Sequence, residues 1–186
     1  MARQVKRQRD EEVSERRKKD AAERRVQPLT AEQTSRLIAP PTSEDPHIRR
    51  MHLMICLLLA THTKEANGIT VIELLWKVEV GHVDLSLQRL HVGSRSNARC
   101  YQLRGKLFRY LTQYLEEVRP QLMSIYFGKE KSILLFPPLV KQDARQDFWH
   151  RLVQYGQISG VPELCAVVFI RTLQKGVTLD WKEGET

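Results

Sequence analysis

The run from Leu53 to Ala60 constrains this chain more than any other feature. It holds eight apolar residues in succession, inside a segment from Arg50 to Ala60 that is nearly all apolar. An element with no polar side has no face to offer water, so the rest of the fold must surround it. Its length suits a buried strand or a short core helix. With almost every position apolar, periodicity does not choose between the two. It is far too short to cross a bilayer, which takes roughly 18–20 apolar residues. Charge begins at Arg3, which is unlike a secretory signal. Cys56, Cys100 and Cys165 are odd in number and far apart, so neither a disulfide framework nor a metal knuckle is expected. The expected setting is a reducing intracellular one, the cytoplasm or also the nucleus, with no transmembrane segment.

Ahead of that run the composition changes. Residues 1–26 hold ten basic side chains (Arg3, Lys6, Arg7, Arg9, Arg16, Arg17, Lys18, Lys19, Arg24 and Arg25) and six acids (Asp10, Glu11, Glu12, Glu15, Asp20 and Glu23). Their few apolar residues form no stripe that could bury a face. Glu12–Arg16, Glu15–Lys19 and Asp20–Arg24 are acid-to-base pairs at helical spacing, so a solvated, partly helical arm is expected. Gln27 to Pro46 reads as a linker punctuated by Pro28, Pro40, Pro41 and Pro46. Within it, Thr30 and Gln33 stand at capping-box spacing ahead of a short helix reaching Ile38. The expected division is residues 1–45 as disordered basic arm and linker, and 46–186 as the globular domain.

Within the domain, Asn67-Gly68 marks a turn, and Ile69 to Val80 reads as a helix stopped by Gly81, with Trp76 on its apolar face. Val83, Leu85 and Leu87 alternate with polar residues as in a half-buried strand. Ser94 to Val118 carries Leu103, Leu107, Leu111, Tyr114 and Val118 at steps of three and four before Pro120, which predicts one long helix. Leu122 to Phe127 and Ser132 to Phe136 flank Gly128 as a hairpin would. Asp143 to Tyr155 is an amphipathic helix. Leu164 to Leu173, apolar and β-branched, pairs in expectation with Val177 to Trp181. The fold class is α+β: a single compact domain with a long basic helix and short β-hairpins.

The sharpest chemical signal is an absence. No acidic residue lies between Asp84 and Glu116, whereas Arg89, Arg95, Arg99, Arg104, Lys106 and Arg109 do. On a helix, Arg95, Arg99, Lys106 and Arg109 share a quadrant with Gln102, an edge suited to a phosphate backbone. The whole chain agrees, with a formal net charge of +8. Arg16, Arg17, Lys18 and Lys19 have the density of a nuclear-import signal or a nucleic-acid-binding arm. Asp143, Asp147 and His150 share one helix side, but acids in a first turn serve the helix dipole, and no metal site is expected. Phe108, Tyr110, Tyr114, Tyr126, Phe127 and Phe136 read as packing rather than base stacking. Neither a P-loop nor a nucleophile elbow is present, so no catalytic residue and no cofactor is assigned.

Two functions fit these features. The first is a non-enzymatic basic protein that binds nucleic acid or ribonucleoprotein, mainly through the phosphate backbone. The order helix, basic helix, hairpin loosely follows a winged helix, although Gly81 to Gly93 is too long for a helix-turn-helix turn. The second is an assembly protein acting at an anionic membrane and on a nucleocapsid, with self-association. A basic arm followed by a proline-containing linker, here Ala39-Pro40-Pro41-Thr42-Ser43-Glu44-Asp45, resembles in layout the matrix proteins of rhabdoviruses.

Overall fold

The all-apolar run is helical. Pro46–Thr61 forms one helix, with Asp45 accepting from the His47 N–H at 2.8 Å to cap its start. Leu and Met dominate the run, and straight-chain residues lose little rotamer freedom in a helix. Every residue from Arg50 to Leu59 is buried. The structure is a computed structural model that describes residues 26–62, 68–93, 98–127, 132–138, 144–177, 179 and 181. Its helices in chain order are α1 (Ala31–Ile38), α2 (Pro46–Thr61), α3 (Val71–Trp76), α4 (Gly105–Gln113), α5 (Arg119–Phe127), α6 (Ala144–Ile158) and α7 (Ala166–Lys175). The strands β1 (Val83–Asp84), β2 (Arg89–Val92) and β3 (Arg99–Gln102) make one antiparallel sheet in that order. Helix α2 packs against α1, α4, α5 and α6, which explains why it has no polar side. An α+β domain of helices around a small antiparallel sheet is therefore present.

The capping box read at Thr30 forms as expected, with Gln33 N–H donating to Thr30 and the Thr30 N–H to the Gln33 side chain. Yet α1 is no linker helix. Leu29 and Leu37 are buried in the common core, the Leu29 N–H donates to Thr172 Oγ1 at 2.9 Å, and Tyr155 Oη donates to Leu37 O at 3.1 Å. A domain boundary at residue 46 cuts through this packing. Residues 1–25 lie outside the described part.

Several expected elements are corrected. The long helix from Ser94 does not exist as such. Arg99–Gln102 is strand, and the helix begins at Gly105, where φ is +49°. Conversely, Pro120 does not end it. Between α4 and α5 the segment Tyr114–Val118 widens to a π-turn, with Arg119 N–H reaching Tyr114 O. A proline supplies no N–H to the turn before it, and a π-turn is one way the backbone absorbs that loss. Leu122–Phe127 is thus helix, not a hairpin arm. Residues 132–135 pair elsewhere: Val80 N–H donates to Ile133 O and Leu135 N–H to Val78 O, both at 2.8 Å. Arg119 Nη2 holds that segment through Ser132 O and Leu134 O.

Helix α3 covers only Val71–Trp76, and its Ile72 and Trp76 are exposed, so Trp76 is not core. Beyond Asp84, Leu85 to Gln88 form a turn with Gln88 at φ +52° instead of continuing the strand. Leu164–Leu173 is not a strand either. Despite its β-branched content, α7 buries Phe169, Thr172 and Leu173 on one helical face, and packing overrides propensity. Val177, Leu179 and Trp181 are in no strand, so the closing hairpin is absent among the described residues.

The helix expected over Asp143–Tyr155 is present as α6 and runs through Gly156 to Ile158. A Cβ on Gly156 would stand 2.6 Å from Leu164 Cβ and 2.7 Å from Val161 O. Alanine in a helix interior ordinarily gains up to about 1 kcal/mol over glycine. Here the loop is in the way, and overpacking costs about 1–3 kcal/mol. Gly156→Ala should therefore lower the thermal midpoint, and a rise would show that the 161–164 loop yields freely.

Burial lowers the pKa of His47, His52 and His62 below the ordinary 6.5, with the Arg151 guanidinium adding to the effect at His47. His52 sits against Ile38 O at 3.1 Å and His62 Nδ1 against Leu58 O at 2.7 Å, bonds that offset burial only in part. Protons thus bind the unfolded chain more readily than the folded one. Stability is intact above the unfolded value and falls as pH drops below it. Urea midpoints at about pH 7.5 and about pH 5.5 should differ, the acid one being lower. Equal midpoints would mean these rings are open to water.

Candidate nucleic-acid interface

The acid-free stretch folds as a ribbon that runs into a helix. Along β2 the pattern is strict, with Leu90 and Val92 buried and Arg89 and His91 exposed. On β3, Arg99 and Tyr101 turn inward while Cys100 and Gln102 are exposed. Register places Arg89 opposite Gln102 and His91 opposite Cys100, so these four share the outer face. On the other side of β2, Asp84 stands opposite Arg89.

At the base of the ribbon, Leu103 N–H donates to Gln88 O at 2.8 Å, and the chain turns straight into α4. Arg104 lies exposed at that junction, Lys106 is half-buried in the first helical turn, and Arg109 is exposed one turn further. The Trp181 carbonyl accepts from the Lys106 N–H at 3.1 Å and closes the helix start. Arg89, Arg104, Lys106 and Arg109 thus follow one path from strand to helix rather than one helical quadrant.

Arg99 has a different employment. Its Nη2 meets Glu73 Oε1 at 2.7 Å and its Nη1 donates to Gly68 O at 2.8 Å. Glu73 also closes the capping box of α3 with Thr70. Burial would raise the Glu73 carboxyl, but the Thr70 N–H and the Arg99 guanidinium outweigh it and hold it below the ordinary value. This half-buried pair ties the ribbon to the start of α3. Sequence reading missed it, because Glu73 lies outside the acid-free window and only the fold brings it to Arg99.

Other candidates separate. Arg95, Asp143 and the cluster Arg16, Arg17, Lys18 and Lys19 lie outside the described residues. Both Asp147 oxygens accept from Arg151 Nε, at 2.8 and 2.9 Å, while His150 is exposed. Tyr114 and Phe136 pack in the core with ring centroids 5.1 Å apart, and Tyr110 is buried. Phe108 is half-buried, and Tyr126 is exposed with its hydroxyl 2.9 Å from His47 Nε2. The winged-helix order fails, since the only ribbon described precedes the basic helix. No described helix is long and apolar enough to cross a membrane.

No protein-family model matches the chain. Among curated proteins it is 32% identical over 137 residues to tyrosine recombinase XerD of Proteus mirabilis, covering 72% of this chain and 40% of that protein. It is 29% identical over 142 residues to tyrosine recombinase XerD of Pseudomonas aeruginosa, covering 72% and 42%. Its fold is similar to that in the crystal structure of XerA recombinase, with a TM-score of 0.55 at 20% identity, over 77% of this chain and 46% of the other. The chain spans about two fifths of the length of the curated relatives it matches. These relatives are enzymes. They overturn the expectation of a non-enzymatic protein, and with it the RNA-binding and viral matrix readings. They lend no support to a membrane surface or a nucleoprotein as partner.

Proposed function

We propose that this chain binds duplex DNA and takes part in recombinase-type strand exchange. The match to the XerD recombinases carries the reading, and the exposed cations from Arg89 to Arg109 supply a surface suited to DNA phosphates. The name of the relatives implies a tyrosine whose oxygen attacks a DNA phosphodiester, breaking one P–O ester bond, releasing a sugar hydroxyl that takes up a proton, and holding the other strand end as a phosphotyrosine. The chain has five tyrosines. Tyr114 and Tyr155 are buried and donate to backbone carbonyls, and burial pushes the Tyr114 hydroxyl up to about 12 and raises that of Tyr155. Tyr110 is buried, and Tyr101 is half-buried beneath the Arg99 guanidinium. Tyr126 alone presents an exposed hydroxyl, and His47 beside it is placed to take its proton.

The test has two readouts on one protein. Duplex DNA should bind with an affinity that falls steeply with salt, and a nicked duplex should trap a covalent adduct that Tyr126→Phe removes. Binding without any adduct would confine this chain to the DNA-holding share of the reaction. Absence of duplex binding would end the reading altogether.

A further inference from the structure

Arg89 is braced by a side-chain amide that is itself fixed to the neighbouring turn. The turn Leu85–Gln88 ends with Gln88 in the left-handed region, which turns the Leu87 and Gln88 carbonyls toward β3. Gln102 Nε2 donates to both, at 3.1 Å each. With its amide so fixed, Gln102 Oε1 accepts from Arg89 Nε at 3.4 Å. That bond engages only Nε, and the planar end of the Arg89 guanidinium belongs to the exposed face of a two-stranded ribbon. A planar fork of this kind matches a paired acceptor.

Duplex DNA offers two such acceptors, a phosphate and the O6/N7 edge of guanine. The neighbour across β1 decides between them. Asp84, in register with Arg89, has Oδ1 occupied by Ser86 Oγ at 2.7 Å and by the Leu87 N–H at 2.9 Å, and these bonds hold its carboxyl below the ordinary range. It is a fixed anion in the same row. A phosphate seated on Arg89 would face that charge, whereas a neutral base edge would not. A two-stranded ribbon is also of a size that the major groove admits.

We infer that Arg89, held by Gln102, reads a guanine in the major groove of a DNA duplex. This rests on the proposed function, and it assigns Arg89 to specificity while leaving Arg104, Lys106 and Arg109 to the backbone.

The experiment is selection of bound duplexes from a randomised DNA library by the parent chain, by Arg89→Lys and by Gln102→Leu. Each selection is followed by affinity measurements at several salt concentrations. The parent should prefer guanine at one position by about fivefold to a hundredfold. Arg89→Lys keeps the charge but not the fork. It should lose that preference while keeping the salt slope, and Gln102→Leu should weaken the preference without the charge changing. If Arg89→Lys selects the same sequences as the parent, or if Arg89→Gln lowers affinity equally for all sequences with a slope smaller by about 0.9, a phosphate is the acceptor and the assignment is wrong. A folded parent that binds no duplex overturns the functional reading and this assignment together.

Discussion

A chain starting at Pro46 should fail to unfold cooperatively, whereas one starting at Val26 should keep a sharp transition. Leu29 and Leu37 each bury a full aliphatic side chain in the core, a contribution of about 1.5–3 kcal/mol apiece. Removing the segment also strips the Tyr155 hydroxyl of its acceptor at Leu37 and Thr172 of its donor at Leu29, deep in the core. Loss of the Tyr155 acceptor costs about 1–3 kcal/mol, whereas Thr172 Oγ1 keeps its bond to Val168 O. The sum is comparable with the roughly 5–15 kcal/mol that holds a whole domain together. Circular dichroism melts of the two truncations decide the matter. A cooperative transition in the shorter chain, near that of the longer, would show that α1 only rests on the surface.

Replacing Arg89, Arg104, Lys106 and Arg109 together by glutamine should nearly abolish duplex binding. Each cation that neutralises a phosphate contributes about 0.9 to the slope of log affinity against log salt, so losing Arg104, Lys106 and Arg109 should shrink the slope by about 2.7, and losing Arg89 removes the base contact on top of that. At about 0.1 M salt the affinity should fall on the order of a thousandfold. Folding should survive, because Arg89, Arg104 and Arg109 are exposed and Leu107, Leu111 and Tyr114 are untouched. Arg99→Gln is the contrasting variant. It leaves Glu73 half-buried without its cation, so it should lower the melting temperature. Its effect on the slope should be small, since Arg99 already spends its charge inside the protein. A folded fourfold variant with the parent's slope would reduce these residues to a solvated surface.

What the chain carries locally was legible in its residues. Thr30 and Gln33 cap α1 because a capping box is made within four residues of backbone. The run around Leu53 is surrounded on every side because no neighbour in its own segment supplies a polar face. Asp143 to Tyr155 announced α6, and the missing acids between Asp84 and Glu116 marked the cationic path. Tertiary structure alone decided the rest. Ala166 to Lys175 is helical because Phe169 and Leu173 have a core to enter on one face and Thr172 meets Leu29, more than 140 residues away. Ser132 to Phe136 pairs with Val78 and Val80, not with Leu122 to Phe127, because the π-turn carries the helix past Pro120 and leaves Arg119 to hold the returning segment. Arg99 serves stability and not the surface because the fold places Glu73 beside it. Propensity and periodicity act over a turn or two of chain. Which charge meets which, and which apolar face is covered, depends on residues that only the folded chain brings into contact.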